Sequence, residues 1–357
     1  MGNYSKITQF ILEGFSGPLE LQLGLFFLFM LMYIITLMGN IGMITIITLD
    51  PQLQSPMYFF LKNLSFLDIC YSSVITPRAM VSFATGQKGI FYNACAIQMF
   101  FFSFFGTTEC FFLAVMAYDR FTAICNPLLY NIIMSRKACI LQIALCYFFG
   151  FINCCTQTSL TFNLSYCEPG EINQFFCDVP ALMKAACSDT LVNEMVLLAL
   201  CGFIIVITST IVLISYVYIG ATILHMASTE GRRKAFSTCT SHIMAVTLFF
   251  GTAFFMYGQP GAMASPNQGK IVSIFYTVVI PMLNPLIYSL RNKEVKDALG
   301  RQREHHAGLS RGGTAGRVLY CRPLKLTCRS EVFCIVQLQK TLNDLNATKI
   351  LMGYAPD

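Results

Sequence analysis

The sequence predicts an all-α membrane protein, a bundle of seven transmembrane helices followed by a short amphipathic helix. The 357-residue chain is 55% hydrophobic and only 12% charged, with mean hydropathy +0.60, whereas a soluble domain carries about 25% charged residues. Stretches without any charged residue recur along it, each long enough to meet the roughly 20 residues that a bilayer crossing needs. Lys and Arg gather in alternate short loops, which assigns each loop to a side. The net charge of +6 suits basic loops at a membrane surface. A nucleic-acid partner would require a basic patch on a soluble face instead.

Residues 1–20 form a polar N-terminus. Residues 1–18 lack a basic stretch, a short apolar core and a small-residue cleavage site, so the first span is expected to act as the targeting signal. The helix bundle occupies residues 21–299. Its spans are residues 21–49, 57–80, 94–124, 138–164, 195–224, 235–258 and 271–290. The second is the weakest by hydropathy, because it holds Lys62, Asp68 and Arg78. With the N-terminus outside, the cytoplasmic side holds Arg136 and Lys137, then Arg232, Arg233 and Lys234, then Arg291, Lys293 and Lys296, besides Arg120, while the other side has only scattered Lys6, Lys88, Lys184 and Lys270, with Arg78 at the end of the second span. That distribution favours an extracellular N-terminus, where Asn3-Tyr4-Ser5 is a glycosylation acceptor at Asn3. Residues 300–357 are expected to form a disordered cytoplasmic tail.

The third span ends on Met116-Ala117-Tyr118-Asp119-Arg120-Phe121-Thr122-Ala123-Ile124-Cys125. Ionised groups beside a long apolar run need a cavity, a partner or water. Helical steps back from Arg120 reach Met116, Leu113, Glu109, Gly106 and Phe102 on one face, with Glu109 about 16 Å along the axis. A helix with polar groups at two depths on one face belongs inside a bundle. Cys95 opens this span, and Cys167, Cys177 and Cys187 lie in the long loop before the fifth. In an oxidising compartment four cysteines allow three pairings.

The decapeptide resembles the Met-Ala-Tyr-Asp-Arg-Tyr-x-Ala-Ile-Cys signature of olfactory receptors, a branch of the rhodopsin-like G-protein-coupled receptors, with Phe121 in place of the usual Tyr. Further motifs stand in the right order: Gly39-Asn40, Pro56-Met57-Tyr58-Phe59-Phe60-Leu61, Asn63-Leu64-Ser65-Phe66-Leu67-Asp68, Ser215-Tyr216, Lys234-Ala235-Phe236-Ser237-Thr238-Cys239-Thr240-Ser241-His242, and Pro281-Met282-Leu283-Asn284-Pro285-Leu286-Ile287-Tyr288. The resemblance covers nearly all of residues 3–299 and implies disulfides Cys95–Cys177 and Cys167–Cys187. It also implies a G-protein switch built from Asp119, Arg120, Tyr216, Lys234, His242, Asn284, Pro285 and Tyr288. The helix-six base, Gly231-Arg232-Arg233-Lys234, is basic, so the resting restraint on Arg120 is expected to be Asp119.

For the intramembrane carboxylates Asp68 and Glu109 two readings stay open: a sodium-type site shared with Asn40 and Asn284, or a polar network in which one carboxyl is protonated. The resemblance implies a ligand pocket under the strapped loop, for which the expected lining is Phe102, Ser103, Gly106 and Thr107, then Leu200, Cys201 and Ile204, then Phe250 and Tyr257. This set holds no acid or base, so a neutral, mainly apolar small molecule is expected. An amine receptor would want an acid at Phe102, and a retinal protein a lysine in the seventh span. The implied partners are an odorant, an olfactory stimulatory G protein that raises cyclic AMP, trafficking chaperones and membrane lipids. Apart from the sodium ion no cofactor is expected, and no enzymatic chemistry. The implied location is the plasma membrane of olfactory cilia. Rival readings are a hormone or metabolite receptor with the same bundle, and a transporter or channel, which would need a polar path and usually internal repeats.

Overall fold

A computed structural model describes residues 7–257, 266–292 and 294–301. Asn3 and nearly all of the 300–357 segment fall outside these residues. One compact unit spans Met1–Arg301. Its elements in order are β1 (Gln9–Leu12), α1 (Leu19–Leu49), α2 (Pro56–Thr85), β2 (Gly89–Phe91), α3 (Tyr92–Cys125) and the single turn α4 (Tyr130–Ile133). There follow α5 (Arg136–Phe162), β3 (Glu171–Ile172), α6 (Val179–Ala185), α7 (Leu191–His225) and α8 (Thr229–Tyr257). The last span joins α9 (Pro266–Ile274), a π-helical stretch (Phe275–Val279) and α10 (Ile280–Arg291); residues 294–301 form a final helix, α11.

Six helices are long and apolar enough to cross a membrane, among the described residues. The remaining long one is α2, where Lys62, Asp68 and Arg78 lower the hydropathy, as its sequence suggested. Its burial explains how it is tolerated: Leu64, Ser65, Leu67, Asp68, Tyr71, Ser72, Ile75 and Thr76 are all covered by neighbouring helices. α2 starts with Pro56 at its first position, where the missing N–H costs nothing, and stops at Gly86, whose φ of 70° is left-handed. The outward faces of α1, α5 and α7 carry exposed Leu, Ile, Val and Phe side chains throughout, as lipid-facing surfaces do.

The bundle packs in three layers. The central one gathers Phe29, Leu67, Tyr71, Phe102, Phe112, Leu113 and Tyr276. A second, at the end that holds Arg120, contains Tyr58, Phe60, Met116, Tyr288, Val295 and Ala298. The third, at the disulfide end, contains Phe10, Ile90, Cys95, Tyr166, Ile172 and Cys177. There the chain is joined Cys95–Cys177 and Cys167–Cys187. A three-stranded sheet closes that end in the order β2-β1-β3, with β1 antiparallel to β2 and parallel to β3. The N-terminal segment is thus the central strand of the cap, a role that its four residues were too few to reveal.

Two prolines set the packing of the last span against α1. Pro285 has no N–H to give the Pro281 carbonyl one turn earlier, and Asn40 Nδ2 of α1 donates to that carbonyl at 3.0 Å. Gly39 makes the approach possible, since a Cβ there would lie 2.9 Å from Pro285 Cγ. At the Arg120 end, α11 buries Val295 and Ala298 and exposes Glu294, Lys296 and Asp297, the amphipathic pattern expected of a helix on a surface. Tyr58 donates to Glu294 Oε2 at 2.7 Å, and Arg301 donates twice to Asp50 Oδ2, at 3.1 and 2.7 Å. Burial pushes the Asp50 carboxyl up, but the Arg301 guanidinium and the Gln52 amide outweigh it and hold it below its ordinary value. The tie is therefore intact at neutral pH and is lost only as acid protonates Asp50 through that depressed value.

α3 and α5 meet through Gly150, where a Cβ would stand 2.3 Å from Thr108 Oγ1 and 3.2 Å from the Phe104 carbonyl oxygen. Gly150→Ala is expected to cost about 1–3 kcal/mol through overpacking. Gly24→Ala, with nothing within 4 Å, should leave stability unchanged or slightly improved, and thermal melting of the two variants in lipid nanodiscs checks the contrast.

Candidate functional site

Below the cap lies a cavity between α2, α3, α5, α7, α8 and the last span. Phe102, Ser103, Gly106 and Thr107 of α3 line it, as do Cys201 and Ile204 of α7. Leu200 and Phe250 do not. On α7 the face that carries Cys201 and Ile204 continues one turn earlier to Leu197 rather than to Leu200, and on α8 the neighbouring Phe249 faces the cavity instead. Phe250 sits in the core with 9% exposure. The side chain of Tyr257 lies outside the described residues.

Residues not expected from the sequence also line the cavity. Tyr71 of α2 stacks on Phe102, ring centroids 5.5 Å apart. Tyr276, in the π-helical stretch, lies 5.9 Å from Phe102 and donates to Ser273. α5 supplies Asn153 and Gln157, one turn apart on the helix face that packs inward. The expectation of a lining without acids is also corrected. Asp178, next to the bonded Cys177, is 1% exposed and lines the cavity. The two polar residues of α5 could have been noticed as interruptions of an apolar span, but Asp178 lies in a loop whose fold the spacing does not encode.

Nearer the centre, Asn284 Nδ2 donates to both carboxylate oxygens of Asp68 at 3.1 Å. This contact joins α2 to α10 through groups that are fully or nearly fully buried. Glu109 faces the same interior with 1% exposure, and neither of its oxygens has a hydrogen-bond partner. Asn40 Oδ1 and Thr76 Oγ1 are likewise buried and unmet. Thr76 lies two turns along α2 from Asp68, about 12 Å on the axis, so the orphaned oxygens that could join the Asp68 carboxylate around a hard monovalent cation are the two of Glu109 and Asn40 Oδ1. Among the described residues no three His, Cys, Asp or Glu side chains converge as a transition metal would need.

At the far end Arg120 is only 5% exposed. The expected restraint by Asp119 is not the arrangement found: Asp119 Oδ1 accepts from Tyr130 at 2.9 Å, while Arg120 Nη1 lies 3.1 Å from Met57 Sδ and its Nε has no partner. The reason is geometric, since adjacent residues project about 100° apart on a helix and α4 brings a phenol to the acid. Tyr216 of α7 is hydrogen-bonded to His242 Nδ1 of α8 at 2.8 Å. Tyr288 keeps its buried hydroxyl unmet. The two tyrosines and the arginine are thus brought into one layer without being joined to one another. Pro285 is buried beside Gly39, and the side chain of Lys234 lies outside the described residues.

Comparison with known proteins gives a consistent result. Residues 29–303 match the family described as "Olfactory receptor". Olfactory receptor OR9H1 of Homo sapiens is 56% identical over 301 residues, covering 84% of this chain and 98% of that protein. Olfactory receptor 9S13 of Mus musculus is also 56% identical, over 85% of this chain and 91% of its own. The crystal structure of squid rhodopsin superposes with a TM-score of 0.61 at 18% identity, over 84% of this chain and 90% of that one, a likeness of fold.

Removing the Asn284 amide would leave a buried carboxylate without its donors. Asn284→Leu is expected to lose about 2–3 kcal/mol of stability, and Asp68→Leu in addition should restore part of it, because the uncompensated charge is gone. Thermal midpoints of the single and double variants decide this.

Proposed function

We propose, from the premise that this chain belongs to the olfactory receptor family, that it binds neutral, mainly apolar volatile molecules in the capped cavity and activates an olfactory-type stimulatory G protein. It is an odorant receptor and not an enzyme. The observation that carries the finer reading is the pairing of a mostly apolar cavity at the disulfide end with a buried arginine whose Nε is unmet at the other.

Arg120 offers five donors and stays charged. Its Nε is unmet, and the Tyr216 and Tyr288 hydroxyls stand in the same layer, one engaged by His242 and one open. A ligand that binds more tightly to a state with the Arg120 end of α8 displaced outward shifts the population toward it. In that state Tyr216 is released from His242, and the Arg120 layer opens to the C-terminal helix of a G-protein α subunit. The receptor promotes nucleotide exchange on that partner, which raises cyclic AMP.

Asp68, Glu109, Asn40 and Asn284 would hold a sodium ion in the resting state, where its charge would compensate two carboxylates that share an apolar interior. Loss of that ion would favour the active arrangement. The reading further places the protein in the plasma membrane of sensory cilia, with the disulfide end and N-terminus outside, as the distribution of Lys and Arg supports. Delivery there would use trafficking chaperones.

The test is cyclic AMP in cells co-expressing the receptor, the olfactory G protein and a chaperone, exposed to a panel of volatiles with surface staining in parallel. Arg120→Ala is expected to abolish the response to every agonist while staining at the surface like the wild type. A full response from that variant would contradict the switch.

A further inference from the structure

Asn153 and Gln157 are 6% and 2% exposed, line the ligand cavity and sit on the inward face of α5. Asn153 Nδ2 donates to Thr107 Oγ1 at 2.9 Å, which leaves Asn153 Oδ1 buried with no partner. Gln157 Nε2 is also buried with no partner. One turn of helix thus offers a spare acceptor and a spare donor, about 5–6 Å apart between Cβ atoms. Most of the remaining lining is apolar or aromatic, with Ser103 and Thr107 on α3. Buried amide groups left without partners are rare and costly in folded proteins, so this pair needs a third molecule to complete it.

We infer that Asn153 and Gln157 form the specificity element of the cavity and select ligands with a hydroxyl group. The inference rests on the cavity being the ligand site. A hydroxyl is the small neutral group that can both donate to Asn153 Oδ1 and accept from Gln157 Nε2. An aldehyde or ketone accepts from Gln157 but leaves Asn153 unmet, and an alkane leaves both unmet. A carboxylate would share the cavity with the carboxyl of Asp178, a like charge in a setting of low dielectric. Ranking by function on a constant carbon skeleton is therefore alcohol, then carbonyl, then alkane, with the acid last. The polar end of the ligand lies against α5, and its apolar body fills the space toward Phe249 and Tyr276.

The experiment uses the full-length receptor in the cyclic AMP assay with matched sets of primary alcohol, aldehyde, alkane and carboxylic acid. Each set is built on one skeleton, with straight, branched and cyclic skeletons all represented. Within a set that contains agonists, the alcohol should act at a concentration at least about tenfold lower than the alkane, the value of one or two buried hydrogen bonds. Gln157→Leu should raise the effective concentration of alcohols about five- to tenfold and leave that of alkanes unchanged or lowered. Gln157→Met, closer in shape, is the second variant. Should neither variant reach the surface, the ranking on the wild type still decides. Alcohols and alkanes of equal potency would overturn the inference while leaving the odorant reading intact, since the amides would then be satisfied by trapped water. Silence toward every set, from a receptor stained at the surface, would overturn the odorant reading and this inference with it.

Discussion

Inside an apolar bundle surrounded by lipid, a polar group must find its partner on another helix, because no water is there to take its place. The contact of Asn284 with both oxygens of Asp68 is the clearest case, and the geometry around it follows. It binds α2, whose composition would otherwise make it the poorest membrane helix, to the irregular last span. That span is irregular because it holds Pro281 and Pro285 and a π-helical stretch. The carbonyl that Pro285 leaves unserved is met by Asn40, and Gly39 supplies the clearance. Three helices are thereby fixed by three polar side chains and one glycine, and the aromatic layers pack above and below.

The same constraint separates what is fixed from what can move. The cap is held firmly by two disulfides, a three-stranded sheet and the Gln98 side chain, which takes the Cys177 amide at 3.0 Å. From the centre to the Arg120 end there is no such tie among the described residues. Arg120 Nε, Tyr288 Oη and both Glu109 oxygens lack partners. A rigid, closed upper end and a lower end with unspent hydrogen-bonding capacity describe a molecule that receives at one end and can change partners at the other. The anchoring of α11 through Tyr58 and Asp50 ties the base of α10 to the ends of α1 and α2.

Much of this was legible in the sequence, for physical reasons that can be named. Spans show themselves through the cost of charge in lipid, so their number and limits could be read even for α2, once its polar residues were taken as interior. Motif residues such as Asn40, Asp68, Arg120 and Asn284 announced themselves because polar groups in apolar runs are improbable without a partner. The identity of each partner was less accessible. Asp119 was expected on Arg120 and is held by Tyr130, a residue delivered by a single helical turn that carries no strong pattern. Helix rotation was the other obscure quantity: Phe249 and Phe250 are both buried in the core, but only Phe249 lines the cavity. Strands of four residues or fewer, and the loop that brings Asp178 under the cap, are set by tertiary contacts that no local periodicity records.

The account stands on a mechanical link between the capped cavity and the Arg120 end, and the most direct measurement is the distance between probes at the Arg120 ends of α3 and α8. It would be read in lipid nanodiscs with and without an agonist identified in cells. The account predicts a longer distance with agonist, lengthened further when a G protein is added. An agonist that raises cyclic AMP through the receptor while this distance stays constant, with G protein present, would contradict it.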